Sequence, residues 1–479
     1  MRELIPWIAG IATAALCVLA GGGAMRRLAW RVGLVDRPKL RGVHGETVAR
    51  SGGLAIAAGL MLALLAQMAL ARGLGLPGSY LADVDNVYLL LPALALLGTG
   101  LLDDLRPLGA RVKLGVQVCC ALWAYVLGFR FDDVNVLGLF TFSAGWLSLP
   151  LTLLFVVAVT NAFNMLDGVD GLCAGTAFVA LAGIGAYSLL GGNVQLGLAL
   201  PLAACALAFL RHNFGRPKSF LGDSGSTFLG FLVAALALRG VRDSGGAIAL
   251  APLFLLLSLP VVDICAAVAR RLIQGTSPLR ADRGHIHHIT LILFEERSAR
   301  ASATLLAMAA VCAAGAMLAG AHAPLAAAVL ALPVGLYGAI FARGGYLSLR
   351  NLRGAARATA LARAIEADAA TAGPADALGG ERAIALMRQL RVTAMGLLDD
   401  SGRLVWCLGV PDLGREALHL PLFAGGKVRR GLLLVQGADG SADRLAFVAQ
   451  LLIPLYPAFM EMLESKTRAT GKVPRPLNV

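Results

Sequence analysis

The chain has 479 residues, of which 58% are hydrophobic and 15% charged, with a net charge of +13; its mean hydropathy is +0.74. A water-soluble protein of this size has no use for so much apolar surface, and a disordered chain cannot hold it. The composition therefore describes an all-α polytopic membrane protein.

Eleven apolar runs set the expected spans: 4–24, 52–71, 87–102, 113–129, 147–164, 172–190, 195–210, 224–238, 247–268, 301–320 and 325–342. Each comes near the ~20 residues that cross ~30 Å of hydrocarbon. The first lacks the basic leader and small-residue cleavage site of a removable signal, so it counts as a helix. Basic residues alternate sharply between the connecting loops. Nineteen fall on one side, among them Arg26, Arg50, Arg106, Lys113, Arg216 and Arg270, and five on the other, including Arg72, Arg130 and Arg242. Positive-inside bias places the nineteen in the cytoplasm. An odd number of spans then puts the N-terminus outside and the C-terminus inside. This asymmetry accounts for most of the net charge and for a pI near 9.8 without a nucleic acid partner. The eight cysteines form no C-x-x-C pair and read as small hydrophobes.

After a membrane part over residues 1–345, a basic helix and linker cover 346–380. Residues 381–465 read as a small cytosolic α+β domain, and 466–479 as a flexible tail. A helix near 382–390 leads to strands at Met395–Leu398 and Arg403–Leu408 across an Asp-Asp-Ser-Gly turn. A second pair, Leu418–Phe423 and Lys427–Gln436, meets at Gly425-Gly426, and a helix over 442–464 closes the domain. The order of elements is similar to regulatory domains of the GAF or PAS kind, which favours docking or regulation over catalysis.

The polar residues of the membrane part carry the chemistry. Asn161, Asn164 and Asp167 follow one another at steps of three, which keeps them near one face of a helix end. Gly168 and Gly171 are expected to turn the backbone out of that helix. Ionisable groups in lipid are expensive and mark function by default. Asp103-Asp104 ends the third run, where a helix dipole disfavours anions. Asp223, in Phe220-Leu-Gly-Asp-Ser-Gly-Ser226, opens the eighth. Asp282-Arg283-Gly-His285-Ile-His287-His288 falls in the loop after the ninth, with donors suited to phosphate and sugar hydroxyls. Asp36-Arg-Pro-Lys39, His44 and Gly52-Gly53 occupy the first loop. All of them are expected on the cytoplasmic side. An oxygen-rich cluster there suits a hard cation and a phosphorylated ligand.

In order and spacing these motifs resemble the polyprenyl-phosphate N-acetylhexosamine-1-phosphate transferases, over about residues 1–345. The long asparagine–aspartate motif through Asp170-Gly171-Leu172 and the Gly222-Asp223 motif are the specific matches. Two positions depart from the family pattern. Arg106-Pro107-Leu108 stands where a further acid is common, and Ala49 where proline is common. The resemblance implies that undecaprenyl phosphate attacks the β-phosphate of a UDP-N-acetylhexosamine, releases UMP, and leaves a lipid-linked pyrophosphoryl sugar that starts a surface polysaccharide. It implies Mg²⁺, replaceable by Mn²⁺, at Asn164 and Asp223. Asp167 and Asp170 serve the nucleotide side, and Lys39, His44, Arg283, His285, His287 and His288 join the substrate-binding set. Asp103 and Asp104 lie by the lipid phosphate, as positioning groups or a weak base beside the catalytic Asp223. The His-Ile-His-His form is similar to the branch using simple N-acetylhexosamines, with UDP-N-acetylglucosamine the expected donor. Transfer of a muramyl pentapeptide is the second reading, and a membrane transporter the reading of a different class. The implied setting is a bacterial inner membrane, with a homodimer or a cytosolic regulatory partner as further expectations.

Overall fold

The structure is a computed structural model that describes residues 4–36, 47–76, 87–190, 196–273, 285–294, 297–321 and 323–343, the segments 381–390, 392–399, 404–409, 418–424 and 428–437, and isolated residues between 361 and 459. These residues fall into two compact units: 1–36, 48–264 and 297–337 form the first, and 37–47, 265–296 and 338–479 the second.

The helices are α1 (Ile5–Val32), α2 (Gly52–Gly73), α3 (Leu90–Leu105), α4 (Ala110–Val126), α5 (Ser148–Leu166), α6 (Leu172–Leu190), α7 (Leu196–Asn213), α8 (Gly222–Gly240), α9 (Leu250–Leu256), α10 (Ser258–Ile273), α11 (Ile286–Leu293), α12 (Ser298–Ala321), α13 (Ala323–Val329), α14 (Ala331–Arg343) and α15 (Glu381–Leu390). Each of the eleven apolar runs is helical over most of its length. Six described helices are long and apolar enough to cross a membrane, seven if one bent pair makes a single span. The shortfall from eleven has identifiable causes. α3 and α4 are short because Pro107 closes the connection between them; Arg106 ahead of it is extended (φ −143°, ψ 115°), as a residue before proline prefers. α8 carries Asp223 in its first turn and Arg239 in its last.

The run 247–268 departs furthest from expectation. Its first residues form a strand, and the helices that follow, α9 and α10, meet at an angle of 89° around Leu257. Pro260 lacks an N–H, and its ring clashes with the carbonyl four residues back, so one straight helix cannot pass through. α1 overruns its expected end at residue 24. Arginines in its last turns suit the negative pole of the helix dipole, and Gly33 stops it in the left-handed region (φ 77°).

In the first unit α8 is the hub. It packs against α2, α3, α5 and α6, and every one of its residues except Asp223 and Arg239 is buried. A helix apolar all round, as this one is beyond its first turn, belongs in such a place. α1 leans on α2 and α7, α4 on α3 and α5, and α12 on α6 and α9.

Two small sheets in this unit went unread in the sequence. β1 (Val35–Asp36) pairs antiparallel with β2 (Val48–Ala49). The other has the order β4-β3-β5, with β3 (Asp133–Val136) antiparallel to β4 (Phe140–Ser143) and parallel to β5 (Ile248–Ala249). Strands of two to four residues carry too little periodicity to stand out between apolar helices.

In the second unit β6 (Val392–Asp399), β7 (Leu404–Gly409), β8 (Leu418–Ala424) and β9 (Val428–Gly437) form an antiparallel sheet of order β7-β6-β9-β8. α15 packs on β6. Ala383, Leu386 and Met387 at helical spacing, with Met395 and Leu397 at strand spacing, are buried. The helix expected over 442–464 lies almost entirely outside the described residues.

Candidate functional site

Four helix ends and one loop of the first unit converge. α3 ends in Asp103 and Asp104, α4 begins with Lys113 in its first turn, α5 ends at Asn164 and Asp167, and α8 begins with Asp223. Arg50 stands just before α2.

The Asp104 side chain is fully buried yet well supplied with donors. Arg50 Nη1 donates to its Oδ1 at 2.8 Å, and the backbone N–H groups of Asp223 and Ser224 donate to Oδ1 and Oδ2, each at 3.2 Å. The carboxylate at the C-terminus of one helix thus caps the N-terminus of another. The dipole of α3 opposes it there and that of α8 favours it. Close approach makes this arrangement feasible. Gly222 sits at φ +76°, and a Cβ there would fall 2.6 Å from Asp104 Oδ2; a Cβ on Gly100 would lie 2.3 Å from Ser224 Cα.

Asp103 faces the other way. Its Oδ1 accepts the Leu108 N–H at 2.7 Å, which fixes the turn through Pro107. That turn returns Lys113 to Asp103. Lys113 Nζ lies 3.0 Å from both Asp103 Oδ2 and Asp223 Oδ2 and bridges the two carboxylates.

Asn164 Nδ2 donates to Ser226 Oγ at 2.9 Å, and Ser226 donates in turn to the Gly222 carbonyl at 2.9 Å. The asparagine is thereby tied to the turn that carries Asp223, with its Oδ1 still available as an acceptor. Burial raises the Asp167 pKa well above the usual carboxylate range, helped by the nearby charges of Asp104 and Asp223, although the Gly222 N–H opposes the shift. Among the described residues, Asp36, Asp103, Asp104, Asp167 and Asp223 stand around this centre with the cations Arg50 and Lys113. Arg50 also reaches Asp36 at 2.6 Å. Burial works against its charge, but the two carboxylates hold its pKa above the ordinary value.

Backbone pairing supports the frame. Gly52 and Gly53 donate to the Phe220 and Leu221 carbonyls at 3.0 and 3.2 Å, and Phe220 donates back to Ala49 at 2.8 Å. A Cβ on Gly53 would lie 2.6 Å from Gly225 N, so Gly52-Gly53 serves the seam between α2 and α8. Gly171, rather than Gly168, makes the left-handed turn after α5 (φ +75°). Its N–H donates to Asn213 Oδ1 at 2.8 Å.

Asp170 is buried. Its carboxylate accepts from Ser298 at 3.1 Å and its carbonyl from Ser302 at 2.7 Å, both on the first turns of α12. Asp103, Asp104, Asn164, Asp167 and Asp223 are therefore brought together, while Asp170 secures the turn to α12. Lys39, His44 and Arg283 lie outside the described residues.

The three remaining histidines belong to the second unit, and there the expected loop is a helix. His285 precedes α11, and His287 and His288 lie in its first turn. His285 and His287 are buried, their rings stacked with centroids 5.7 Å apart, and His287 and His288 are 4.3 Å apart. The apolar residues Ile286, Ile289 and Leu293 recur at helical spacing and were outweighed by the polar ones between them.

The residues that the sequence left unassigned are Arg50, Lys113, Ser226 and Asn213. In the sequence Arg50 and Lys113 count only as cytoplasmic loop charge. The available signal for Lys113 was its place one short proline turn beyond a pair of acids.

Among the described residues no three His, Cys, Asp or Glu side chains form a cation cage. A divalent cation nevertheless fits the donor set. Among the described residues the acids outnumber the cations, the ligating atoms on offer are hard oxygens, and Mg²⁺ is commonly held by one or two protein oxygens with substrate phosphates completing its shell.

The family model described as glycosyl transferase family 4 matches residues 86–241, the stretch that supplies most of this cluster. The chain belongs to that family, and the resemblance to polyprenyl-phosphate N-acetylhexosamine-1-phosphate transferases holds. Among its relatives is a probable undecaprenyl-phosphate N-acetylglucosaminyl 1-phosphate transferase of Bacillus subtilis, 34% identical over 60% of this chain and 78% of the relative. A decaprenyl-phosphate N-acetylglucosaminephosphotransferase of Mycobacterium tuberculosis is 32% identical over 60% and 76%. The undecaprenyl-phosphate alpha-N-acetylglucosaminyl 1-phosphate transferase of Escherichia coli is 30% identical over 56% and 71%.

Proposed function

We propose that this membrane protein transfers N-acetylglucosamine-1-phosphate from UDP-N-acetylglucosamine to undecaprenyl phosphate, releasing UMP and leaving an undecaprenyl-pyrophosphoryl sugar that starts a surface polysaccharide. The observation that carries this reading is the convergence of Asp103, Asp104, Lys113, Asn164, Asp167 and Asp223 from four helix ends. A phosphorus–oxygen bond forms between the lipid phosphate and the donor's β-phosphorus as the bond to UMP breaks. The nucleophile is already anionic at neutral pH, so alignment and charge neutralisation matter more than a strong base.

Asp223 and the Asn164 Oδ1 would hold Mg²⁺ in this scheme. When bound, the ion neutralises charge on the donor's pyrophosphate. Lys113, held between Asp103 and Asp223, supplies a positive charge to the phosphates as they meet. Asp103 acts on the incoming lipid phosphate as a positioning group, by orienting the Lys113 ammonium that meets it. Asp104, committed to Arg50 and to the first turn of α8, shapes the site from behind. Asp167 serves the nucleotide side, with Asp170 as its anchor to α12.

In this scheme the eleven apolar runs cross a bacterial inner membrane, and the basic-residue asymmetry supports placing the acidic cluster and the C-terminal domain in the cytoplasm. On this reading residues 381–465 form a regulatory or docking domain.

The test is purified protein with undecaprenyl phosphate, Mg²⁺ and a panel of UDP-sugars, with UMP release as the readout. UDP-N-acetylglucosamine should support release, and chelation of the metal should stop it. Turnover of a UDP-muramyl-pentapeptide in preference to every simple UDP-N-acetylhexosamine would refute the donor assignment.

A further inference from the structure

We propose that Gln117 is a positioning residue for this transfer, through a reciprocal amide pair with Asn161 that holds α4 in register with α5. The proposal rests on the reaction argued above. Asn161 Nδ2 donates to Gln117 Oε1 at 2.8 Å and to the Val157 carbonyl at 2.8 Å. Gln117 Nε2 donates back to Asn161 Oδ1 at 3.4 Å.

Asn161 belongs by sequence to the polar motif and stands one turn before Asn164. Both hydrogens of its amide nitrogen are engaged and its oxygen already accepts, which leaves it little with which to hold a ligand. Its partner, 6% exposed, lies one turn beyond Lys113. The pair therefore couples the helix that carries Lys113 to the helix that carries Asn164 and Asp167.

The need for such a device follows from the rest of α4. Its other buried residues are Cys120, Ala121 and Ala124, small side chains that allow one helix to slide on another. Hydrogen bonds between membrane helices each contribute little net stability, too little to explain two carboxamides by stability alone. A directional pair sets rotation and axial register, and so fixes where Lys113 Nζ meets Asp103 and Asp223.

The experiment uses the full-length protein in lipid nanodiscs and the variants Q117L, N161L, Q117L/N161L and the exchange Q117N/N161Q. A misplacement of about 1 Å costs on the order of 100-fold in rate. The single leucine variants should therefore lose about tenfold or more in kcat, with KM for the UDP-sugar and the Tm nearly unchanged. The double variant should be no worse than either single one, and the exchange should recover much of the loss. Wild-type kcat in Q117L/N161L overturns the proposal, as does a rise in KM at constant kcat, which would place the pair on the substrate.

A second measurement does not depend on turnover. In a cysteine-light K113C/D223C background, cross-linking by a short bis-maleimide, which replaces the reach of the lysine side chain, should slow when Gln117 and Asn161 become leucine, and an unchanged rate overturns the register claim. Absence of UMP release from the wild type, with slowed cross-linking, would instead count against the transfer reading alone.

Discussion

At the scale of single residues, the fully buried Asp104 carboxylate constrains the site most. Arg50→Met would leave this charge without its cationic partner, and because the arginine is partly exposed and two backbone N–H groups still serve the carboxylate, the cost should be about 1–3 kcal/mol. We expect a clear fall in Tm, with Asp104→Leu falling by a similar amount and the double variant by less than the sum of the two. Strict additivity would show that the two side chains do not act as a unit. Asp223→Asn and Asn164→Ala should instead leave the fold intact and reduce Mg²⁺-dependent UMP release by about 100-fold or more. Substantial turnover in both at saturating Mg²⁺ would refute their assignment as ligands. The acids were legible in the sequence because carboxylates at the ends of apolar runs need a reason to be there. The cations were not, because positive-inside bias already explains any loop arginine or lysine. Only the turn at Pro107, which brings Lys113 back to Asp103, separates a topological charge from one that works in the site.

At the scale of elements, the close seam between α3 and α8 invites a paired test. Gly100→Ala would place a methyl 2.3 Å from Ser224 Cα, whereas Gly98→Ala on the same helix would meet nothing within 4 Å. The first should destabilise by about 1–3 kcal/mol through overpacking and impair transfer by moving the first turn of α8. The second should be neutral in Tm and in UMP release, and equal behaviour of the two would show that the seam can relax. Length and apolarity located the helices well, since each run is helical over most of its length, although 247–268 and 325–342 each break into two helices and α1 runs on to Val32. The bend at Leu257 was signalled by Pro260 but masked by the unbroken apolarity around it. In the second unit the strand positions followed Gly-Gly and Asp-Asp-Ser-Gly turns, whose chemistry is local. The sheet order β7-β6-β9-β8 depends on pairings between distant segments and could not be read that way.

At the scale of the whole molecule, two predictions concern arrangement. A reporter fused after Val479 should be active only in its cytoplasmic form if the nineteen-to-five basic split governs insertion. A periplasmic signal would reverse the orientation. Truncation after about residue 345 should retain UMP release, because every motif quoted for the reaction lies before residue 300. Complete loss of release in a truncated protein that remains folded would tie the C-terminal region to the chemistry. The central position of α8 has a further consequence, for how freely the gene can vary. α1 buries only Pro6, Trp7, Gly10, Ala14, Val18 and Ala29, mostly one stripe at steps of three or four. A saturation library across α1 should therefore show tolerance rising and falling once per turn. α8 has neighbours on all sides and no such free face, so its tolerance profile should be uniformly low and without helical rhythm.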